Sequence, residues 1–321
     1  MNLRIGIIGV GRRRNGIGEY VAKFCSRARA EVVAHVSSSM ERAILHANDL
    51  AAKYQILSKP YSDIEKFFVN EKLDAVAICT PALLHKVQLD AALAHSVHVF
   101  CEKPLLWESN GMVEKTKDIL NAFEEANLVL YQDTQWISTL SVFEQFYSQL
   151  NLENIRSFSI ELYPPDSDSK SMISEAAPHA NSLLLALGGK PPAEALSVQL
   201  LHCVREESEL KLCFTVRGSH RQPIEVYYRF IFRESQPRPF AYAINGAWLH
   251  REIDFSSYQI YLSAGAESIP IPDPLEKSIT YFLDLVTSAK KQKIAKQDLA
   301  ILENMELLSQ FALVIEEHGY G

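Results

Sequence analysis

Residues 74–107, DAVAICTPALLHKVQLDAALAHSVHVFCEKPLLW, contain the pattern that decides the fold. Two short apolar runs, 75–79 and 97–101, flank a segment at 87–94 with helical spacing of its apolar residues, which predicts a strand, a helix and a second strand. Parallel strands need a long crossover connection, usually a helix. The stretch therefore predicts two neighbouring strands of a parallel sheet.

The same alternation extends in both directions from this stretch. An Ile-rich run, 3–9, starts the chain as a buried strand and ends at Gly9 and Gly11. Right-handed crossovers return each strand beside an earlier one, so the alternation specifies a doubly wound sheet. We therefore predict an α/β Rossmann domain over residues 1–134. Its further strands are predicted at 32–36 and 128–131, and its further helices at 17–28, 40–54, 64–70 and 112–126.

Beyond residue 135 the pattern changes from helix-separated strands to strands with tight turns. Several of the later runs alternate apolar and polar residues, as an antiparallel sheet with one covered face does. The last 40 or so residues return to helix. Residues 135–321 are thus predicted to form an α+β domain on a mostly antiparallel open sheet, with the C-terminal helix packing back on the first domain. Its predicted strands are 156–162, 196–204, 210–216, 224–232 and 248–255, after a helix at 139–150.

Composition excludes several classes of function. The 321 residues have a formal net charge of -7, which argues against an extended nucleic-acid surface. No apolar run approaches the roughly 20 residues that span a bilayer. The five cysteines are scattered, without metal-binding spacing, and predict reduced thiols in a cytoplasmic protein. No metal site and no serine-hydrolase motif is expected.

A glycine turn follows the first strand and is a candidate phosphate-binding site. Gly9 and Gly11 stand where a dinucleotide-binding fold needs a tight turn against pyrophosphate. The third glycine of the usual pattern falls on Arg14, so Gly16 or Gly18 would have to serve in a longer turn. The alternative is a plain turn between strand and helix, although Arg12 and its arginine neighbours suit a diphosphate.

The end of the second strand indicates which cofactor is preferred. An NAD-binding domain usually has Asp or Glu here to hold the ribose hydroxyls. This chain has Ser37, Ser38 and Ser39, followed by Arg42. Neutral hydroxyls do not repel a 2′-phosphate and Arg42 can pair with it, so NADP is favoured over NAD.

The opening stretch resembles the signature of the Gfo/Idh/MocA family of sugar and polyol dehydrogenases. The resemblance implies NAD(P)-dependent hydride transfer at a secondary alcohol, a second domain for substrate binding and oligomerisation, and a homodimer or homotetramer. It also implies cofactor contacts from Thr80, Pro81, His85 and Glu102. The matching residues are Asp74, Val76, Thr80, Pro81, His85, His98, Val99, Glu102, Lys103 and Pro104.

The resemblance assigns Lys103 to the catalytic pocket and to the cofactor. Ligands of open parallel sheets bind beyond the carboxyl ends of the strands, and Lys103 directly follows the strand at 97–101. An amine shielded from water there would have a lowered pKa and exchange a proton with substrate. The alternative is a surface lysine at a strand end.

In the second domain, the family's D-x-x-x-H pair corresponds to Glu175 and His179. His179 is the predicted second catalytic residue, because imidazole titrates near neutral pH. Glu175 and Gln135 are predicted to bind substrate, and Pro178 indicates a helix that starts near it. Glu175 replaces the usual Asp, and Ser182 stands where a second Asp often follows.

These departures keep two other functions open. One is a cofactor-binding sensor that has lost turnover, and the other is a reductase of a non-carbohydrate substrate such as an imine or a tetrapyrrole. The departures at Arg14, Ser37, Glu175 and Ser182 favour the sensor, and the retained Glu102-Lys103-Pro104 sequence argues against it. For all three, the expected partner is a small molecule.

Overall fold

The parallel sheet predicted for the N-terminal half is confirmed. A computed structural model describes residues 2–11, 17–108, 110–152, 154–187, 198–217, 223–289 and 299–320. The strands of this sheet are β1 (Arg4–Ile8), β2 (Glu31–Val36), β3 (Lys59–Tyr61), β4 (Ala75–Ile78), β5 (His98–Cys101) and β6 (Leu130–Gln132), and the helices between them are α1 (Gly18–Arg27), α2 (Met40–Tyr54), α3 (Ile64–Asn70), α4 (His85–Ala94) and α5 (Met112–Glu125).

The strand order shows where along this sheet a ligand is expected to bind. The strands lie in the order β3-β2-β1-β4-β5-β6, and all neighbours are parallel. The chain adds strands outward from β1 to β3 and then returns to add β4, β5 and β6 on the other side of β1. The switch point where open α/β sheets bind ligands therefore lies between β1 and β4. The turns after β1, β4 and β5 all lie at this carboxyl edge.

The second sheet is mostly antiparallel, as predicted. Its described strands lie in the order β14-β13-β12-β11-β7-β10-β9-β8, and among them only β7 and β10 pair in parallel. These strands are β7 (Ser157–Leu162), β8 (Val198–Glu206), β9 (Glu209–Arg217), β10 (Pro223–Ile231), β11 (Phe240–Ile244), β12 (Ala247–Asp254), β13 (Gln259–Ala264) and β14 (Glu267–Ile271), and the remaining helices are α6 (Leu140–Phe146), α7 (Ser169–Leu187), α8 (Pro274–Ala289) and α9 (Leu299–Glu317).

Four strands were not predicted from sequence: β3, β11, β13 and β14. β11 is buried along its whole length, so it lacks the alternation that marks a half-exposed strand. β3 spans only Lys59–Tyr61 and includes Pro60, and β14 includes Pro270, a residue that weakens a strand prediction. The predicted helix at 139–150 ends earlier, at Phe146, and residues Gln135–Thr139 before it form a 3₁₀ helix.

The chain divides into two compact units. The first comprises Met1–Asp133 and Leu275–Leu299, and the second comprises Thr134–Pro274 and Ala300–Gly321. In the first unit, α8 joins the core under the parallel sheet, where Phe282 packs edge-on against Phe100 of β5 at 5.7 Å between ring centroids. In the second unit, Phe311 of α9 packs on Phe214 of β9. None of the described helices is long and apolar enough to cross a membrane.

Candidate cofactor and active site

The turn after β1 requires glycine. Gly9 has φ +92°, and a Cβ there would lie 2.8 Å from the carbonyl oxygen of Cys79 and 2.9 Å from Cγ2 of Thr80. Glycine adopts this conformation freely and has no side chain to collide. The turn after β1 therefore fits closely against the turn after β4, on either side of the switch point.

Gly18 supplies the close contact between helix and strand that the third glycine of the usual pattern provides. Helix α1 begins at this residue, and a Cβ on it would lie 2.2 Å from the carbonyl oxygen of Gly9. The turn is therefore the longer form, with the helix start displaced along the chain. The predicted cofactor contact Arg12 and its neighbour Arg14 lie outside the described residues.

The backbone N–H groups in the first turn of α1 are a candidate anion-binding site. Among the described residues, no side chain caps this helix, whereas Ser39 caps α2 and Asp63 caps α3. Glu19 in the first turn is paired with Lys53 at 3.1 Å and accepts a hydrogen bond from Tyr54 at 2.7 Å. Backbone N–H groups at a helix start are suited to binding phosphate.

At the end of β2, the predicted ribose contacts form a hydroxyl and cation cluster. Arg42 donates to the Ser38 hydroxyl at 3.0 Å. Ser37, which is buried, is hydrogen-bonded to His46 Nδ1 at 2.9 Å. His46 was not predicted from sequence, because it lies nine residues beyond Ser37 in the middle of a helix. The cluster offers donors and a positive charge beside the glycine turn.

His85 joins the turns after β4 and β5. Its ring is fully buried, with Nε2 at 2.8 Å from the carbonyl oxygen of Thr80 and Nδ1 at 2.9 Å from that of Pro104. Burial lowers the pKa of His85, while the carbonyl contacts oppose that shift. The ring nitrogens thus face backbone, and the geometry gives His85 a role in positioning the turns. Its predicted cofactor contact stays a prediction.

Thr80 and Pro81, the other predicted contacts after β4, differ in environment. The Thr80 hydroxyl donates to Gln88 Oε1 at 2.6 Å, which fixes its rotamer against α4. Pro81 is exposed at the edge of the sheet. Both residues therefore lie at the switch point, one held by a hydrogen bond and the other open to a ligand.

Glu102 and Lys103 leave β5 at the same edge. Both are half-buried, and the Lys103 backbone N–H donates to the Glu102 carboxylate at 2.7 Å. The peptide bond between Lys103 and Pro104 is cis. Cys79 and Cys101, which precede the two turns, are fully buried, and burial raises the pKa of both thiols far from the nucleophilic range. This leaves the amine of Lys103 and the carboxylate of Glu102 as candidate proton-transfer groups of this turn.

A further polar residue at this edge, Gln132, was not predicted as part of the site. It ends β6 beside Cys101 and is 3% exposed, and neither of its amide atoms has a hydrogen-bond partner among the described residues. An unsatisfied buried amide is destabilising and needs an explanation. The sequence signal is a glutamine at the end of an apolar strand, which is easily taken for a strand terminus.

In the second unit, the predicted start of the helix near Pro178 is wrong. Helix α7 begins nine residues earlier, where Asp168 accepts a hydrogen bond from Ser171 N at 2.8 Å, and Pro178 lies inside it. A proline inside a helix costs about 3 kcal/mol. Burial of Met172, Ile173 and other apolar residues of α7 offsets that cost.

Helix α7 brings two of the predicted substrate-domain residues onto one face. Glu175 is exposed and His179 is half-buried, one helical turn further on. The 3₁₀ helix that begins with Gln135 packs against α7. The negative charge of Glu175 acts on Arg238, whose pKa burial lowers and this carboxylate raises. The three predicted residues thus lie on two elements in contact.

A buried amide network fixes α7 within its unit. Asn304 of α9 donates to the carbonyl oxygen of Pro178 at 2.8 Å, and Asn181 donates to Asn304 Oδ1 at 3.3 Å. Tyr228 of β10 donates to Asn181 Oδ1 at 3.1 Å. Since all these groups are buried, they specify one orientation of the helix that carries His179.

Metal ligands are not assembled in the described part of the chain. No group of three or more His, Cys, Asp or Glu side chains is arranged there to hold a metal ion. The absence of a metal site stays a prediction for the chain as a whole.

Known proteins resemble this chain in two ways. It is 30% identical over 130 residues to scyllo-inositol 2-dehydrogenase (NADP(+)) IolU of Bacillus subtilis, covering 40% of this chain and 37% of the relative. It is 29% identical over 118 residues to myo-inositol 2-dehydrogenase of Thermotoga maritima, covering 36% and 33%. The chain therefore spans little more than a third of these relatives.

Similarity of structure extends over the whole chain. UDP-N-acetylglucosamine 3-dehydrogenase GnnA of Acidithiobacillus ferrooxidans superposes with a TM-score of 0.68 over 99% of both chains at 18% identity, which shows a shared two-domain fold. Residues 3–134 match the family model described as "Oxidoreductase family, NAD-binding Rossmann fold". This match to the Gfo/Idh/MocA family model covers 132 of the 321 residues, all in the N-terminal part of the chain.

Proposed function

We propose that the protein is an NAD(P)-dependent oxidoreductase that interconverts a secondary alcohol and a ketone on a sugar, polyol or similar small polar substrate. The main support for this proposal is the position of the turn after β5, which contains Lys103 and is called the Lys103 turn below. It leaves β5 at the carboxyl edge of the sheet, close to the switch point, and His85 ties it to the turn after β4. That edge is where a dinucleotide binds in such folds.

The residues at this edge fit a dinucleotide. Gly9 and Gly18 allow the turn after β1 to pack closely against the turn after β4 and the start of α1, and that helix start offers backbone donors to a diphosphate. Ser37 and Arg42 suit the 2′-phosphate of NADP, so NADP is the proposed cofactor. Arg12, Thr80, Pro81 and Glu102 complete the proposed contacts.

When bound, the nicotinamide supplies the hydride donor or acceptor. The chain's own groups manage the proton. We propose that the amine of Lys103 exchanges a proton with the substrate oxygen. His179 is proposed as a second group that transfers a proton to or from the substrate. Glu175 and Gln135 are the proposed hydroxyl-binding groups of the substrate, because carboxylate and amide oxygens accept hydrogen bonds from hydroxyls.

Assembly and location complete the proposal. The alternating strand β10 buries Ile224, Val226, Tyr228 and Phe230 on one face and leaves the opposite face exposed. We propose that this open face pairs with a second copy in a homodimer or homotetramer. All five cysteines are free thiols, which supports the proposed cytoplasmic location.

Turnover with a panel of polyols and sugars tests the function. Each is mixed with NADP or NAD, and the absorbance of reduced nicotinamide is followed for the wild type, Lys103→Ala and Lys103→Arg. We expect a substrate-dependent signal that Lys103→Ala lowers by about two orders of magnitude or more. Tight cofactor binding without turnover by the wild type would instead support a sensor.

A further inference from the structure

His46 stands between the ribose end and the phosphate end of the proposed cofactor site. Its Nδ1 is hydrogen-bonded to the Ser37 hydroxyl at 2.9 Å. A Cβ at Gly11 would lie 2.9 Å from Cε1 and 3.1 Å from Nε2 of the same ring. The absence of a side chain at Gly11 therefore gives the imidazole its place beside the glycine turn.

The protonation of His46 decides what Ser37 offers to a ligand. A hydroxyl has one donor hydrogen and two acceptor lone pairs. When the neutral ring carries its proton on Nε2, Nδ1 accepts a hydrogen bond from the Ser37 hydroxyl, which then presents only lone pairs to a ligand. If the ring is an imidazolium, Nδ1–H donates to Ser37 Oγ, and the serine hydrogen is released to donate elsewhere.

The two forms suit different ligands. A ribose 2′-hydroxyl can donate to the lone pairs of Ser37, whereas a 2′-phosphate has only acceptor oxygens at neutral pH and needs donors. The imidazolium also brings a positive charge near Arg42. We propose that His46 is a specificity-determining residue, whose neutral form favours a ribose hydroxyl and whose protonated form favours a 2′-phosphate. This inference rests on the proposed dinucleotide-binding function.

The charges around His46 set the starting state. Burial is the main cause that lowers its pKa, so the ring is neutral at neutral pH in the free protein. Among the described residues, Asp49 and Glu19 raise this pKa, and Arg42 and Lys53 lower it. The neighbouring ring of His35 on β2 lies 6.5 Å away between centroids.

The sign of the pH effect follows from these charges. A phosphate dianion beside the ring raises the pKa of His46, so NADP binding takes up a proton. The contribution of His46 to NADP affinity therefore increases as pH falls through the pKa of the bound state. NAD adds no such charge, and its affinity should not share this dependence.

Calorimetric titration with NADP and with NAD tests the inference without turnover. It is run between about pH 6 and about pH 8, in two buffers of different ionisation enthalpy, so that proton uptake is measured directly. His46→Gln keeps a polar side chain but cannot charge. Because a phosphate monoester itself titrates near pH 6, the informative quantity is the difference between the wild type and this variant. His95→Gln, at a half-exposed histidine paired with Glu65, is the control.

We expect the wild type and His95→Gln to take up protons with NADP near neutral pH, and their NADP affinity to exceed that of His46→Gln by about threefold to sixfold more at the acid end than at the alkaline end. This corresponds to a pKa shift of about one unit. NADP binding without proton uptake by the wild type overturns the inference and leaves the proposed function intact. Failure to bind either dinucleotide overturns the proposed function and the inference with it.

Discussion

At the scale of single residues, His85 connects the sheet to the Lys103 turn. His85→Leu leaves the carbonyl oxygens of Thr80 and Pro104 without their buried partner, which should lower the free energy of unfolding by about 1–3 kcal/mol. Displacement of the turn should also lower kcat. Denaturant unfolding and steady-state kinetics measure the two effects.

The matched control for His85 is His98→Leu at the other end of β5. His98 is also buried, and it accepts a hydrogen bond from Val129 N at 2.8 Å. We expect a similar loss of stability with an unchanged kcat. Equal kinetic losses in both variants would show that His85 has no special connection with Lys103.

For Gln132, we expect one substitution to have opposite effects on stability and on dinucleotide binding. Gln132→Leu removes two buried amide atoms that lack partners among the described residues, so the free energy of unfolding should rise by about 1 kcal/mol. If the amide serves the cofactor, dinucleotide affinity should fall in the same variant. Thermal unfolding with and without NADP measures both, and a destabilised variant contradicts this interpretation of Gln132.

Whether a residue could be predicted from the sequence depends on whether its signal lies in neighbouring residues or in distant parts of the chain. Lys103 was predicted because strand, turn and motif are contiguous around it. His46 and Gln132 were not, because each acquires its meaning from a partner or an edge that only the folded sheet provides. Gly18 could be proposed only as one of two glycines, since the length of the turn was not determined by the pattern.

At the scale of elements, helix α1 depends on its contact with the turn after β1. Gly18→Ala places a Cβ 2.2 Å from a backbone oxygen that cannot easily move, so we expect a loss of about 1–3 kcal/mol and weaker dinucleotide binding. Gly11→Ala is the comparison, because among the described residues its Cβ would meet only the side chain of His46. Denaturant unfolding should show the smaller loss for Gly11→Ala, and the reverse order would contradict this packing.

Helix α7 depends on its amide network. Asn304→Leu leaves the Pro178 carbonyl and the Asn181 amide without this partner, and should cost about 2–5 kcal/mol in total. Tyr228→Phe removes one hydrogen bond to Asn181 and should cost about 1 kcal/mol. Urea unfolding compares them. Equal losses would indicate that the network does not fix the helix.

Elements were predicted best where burial and periodicity agree. The helices at Met40–Tyr54 and Ile64–Asn70 have the predicted bounds, because each begins at a capping Ser or Asp. Helix α7 was predicted too short, because a local rule about proline was overridden by burial of the whole helix. β11 was missed because, unlike the fully buried strands β4 and β5, it has neither alternation nor a neighbouring helical segment to mark its apolar run as a strand.

At the scale of the whole molecule, sequence similarity and structural similarity to known proteins cover different shares of the chain. The family model matches residues 3–134, in the unit where the cofactor is proposed to bind, while the structural similarity covers 99% of the chain at 18% identity. Apart from Lys103, the residues proposed to contact substrate, Gln135, Glu175 and His179, are in the second unit. We therefore expect the cofactor class to be shared with the family and the substrate to be specific to this chain.

Transfer of deuterium from the cofactor tests the proposed hydride transfer. The protein is mixed with a ketone identified from the substrate panel and with reduced NADP that carries deuterium at its transferable position, and the product is analysed by mass spectrometry. We expect one deuterium on the carbon that bears the new hydroxyl, formed by the wild type and nearly absent with Lys103→Ala. Saturated cofactor with no labelled product across the panel, or equal labelling by both proteins, would contradict it.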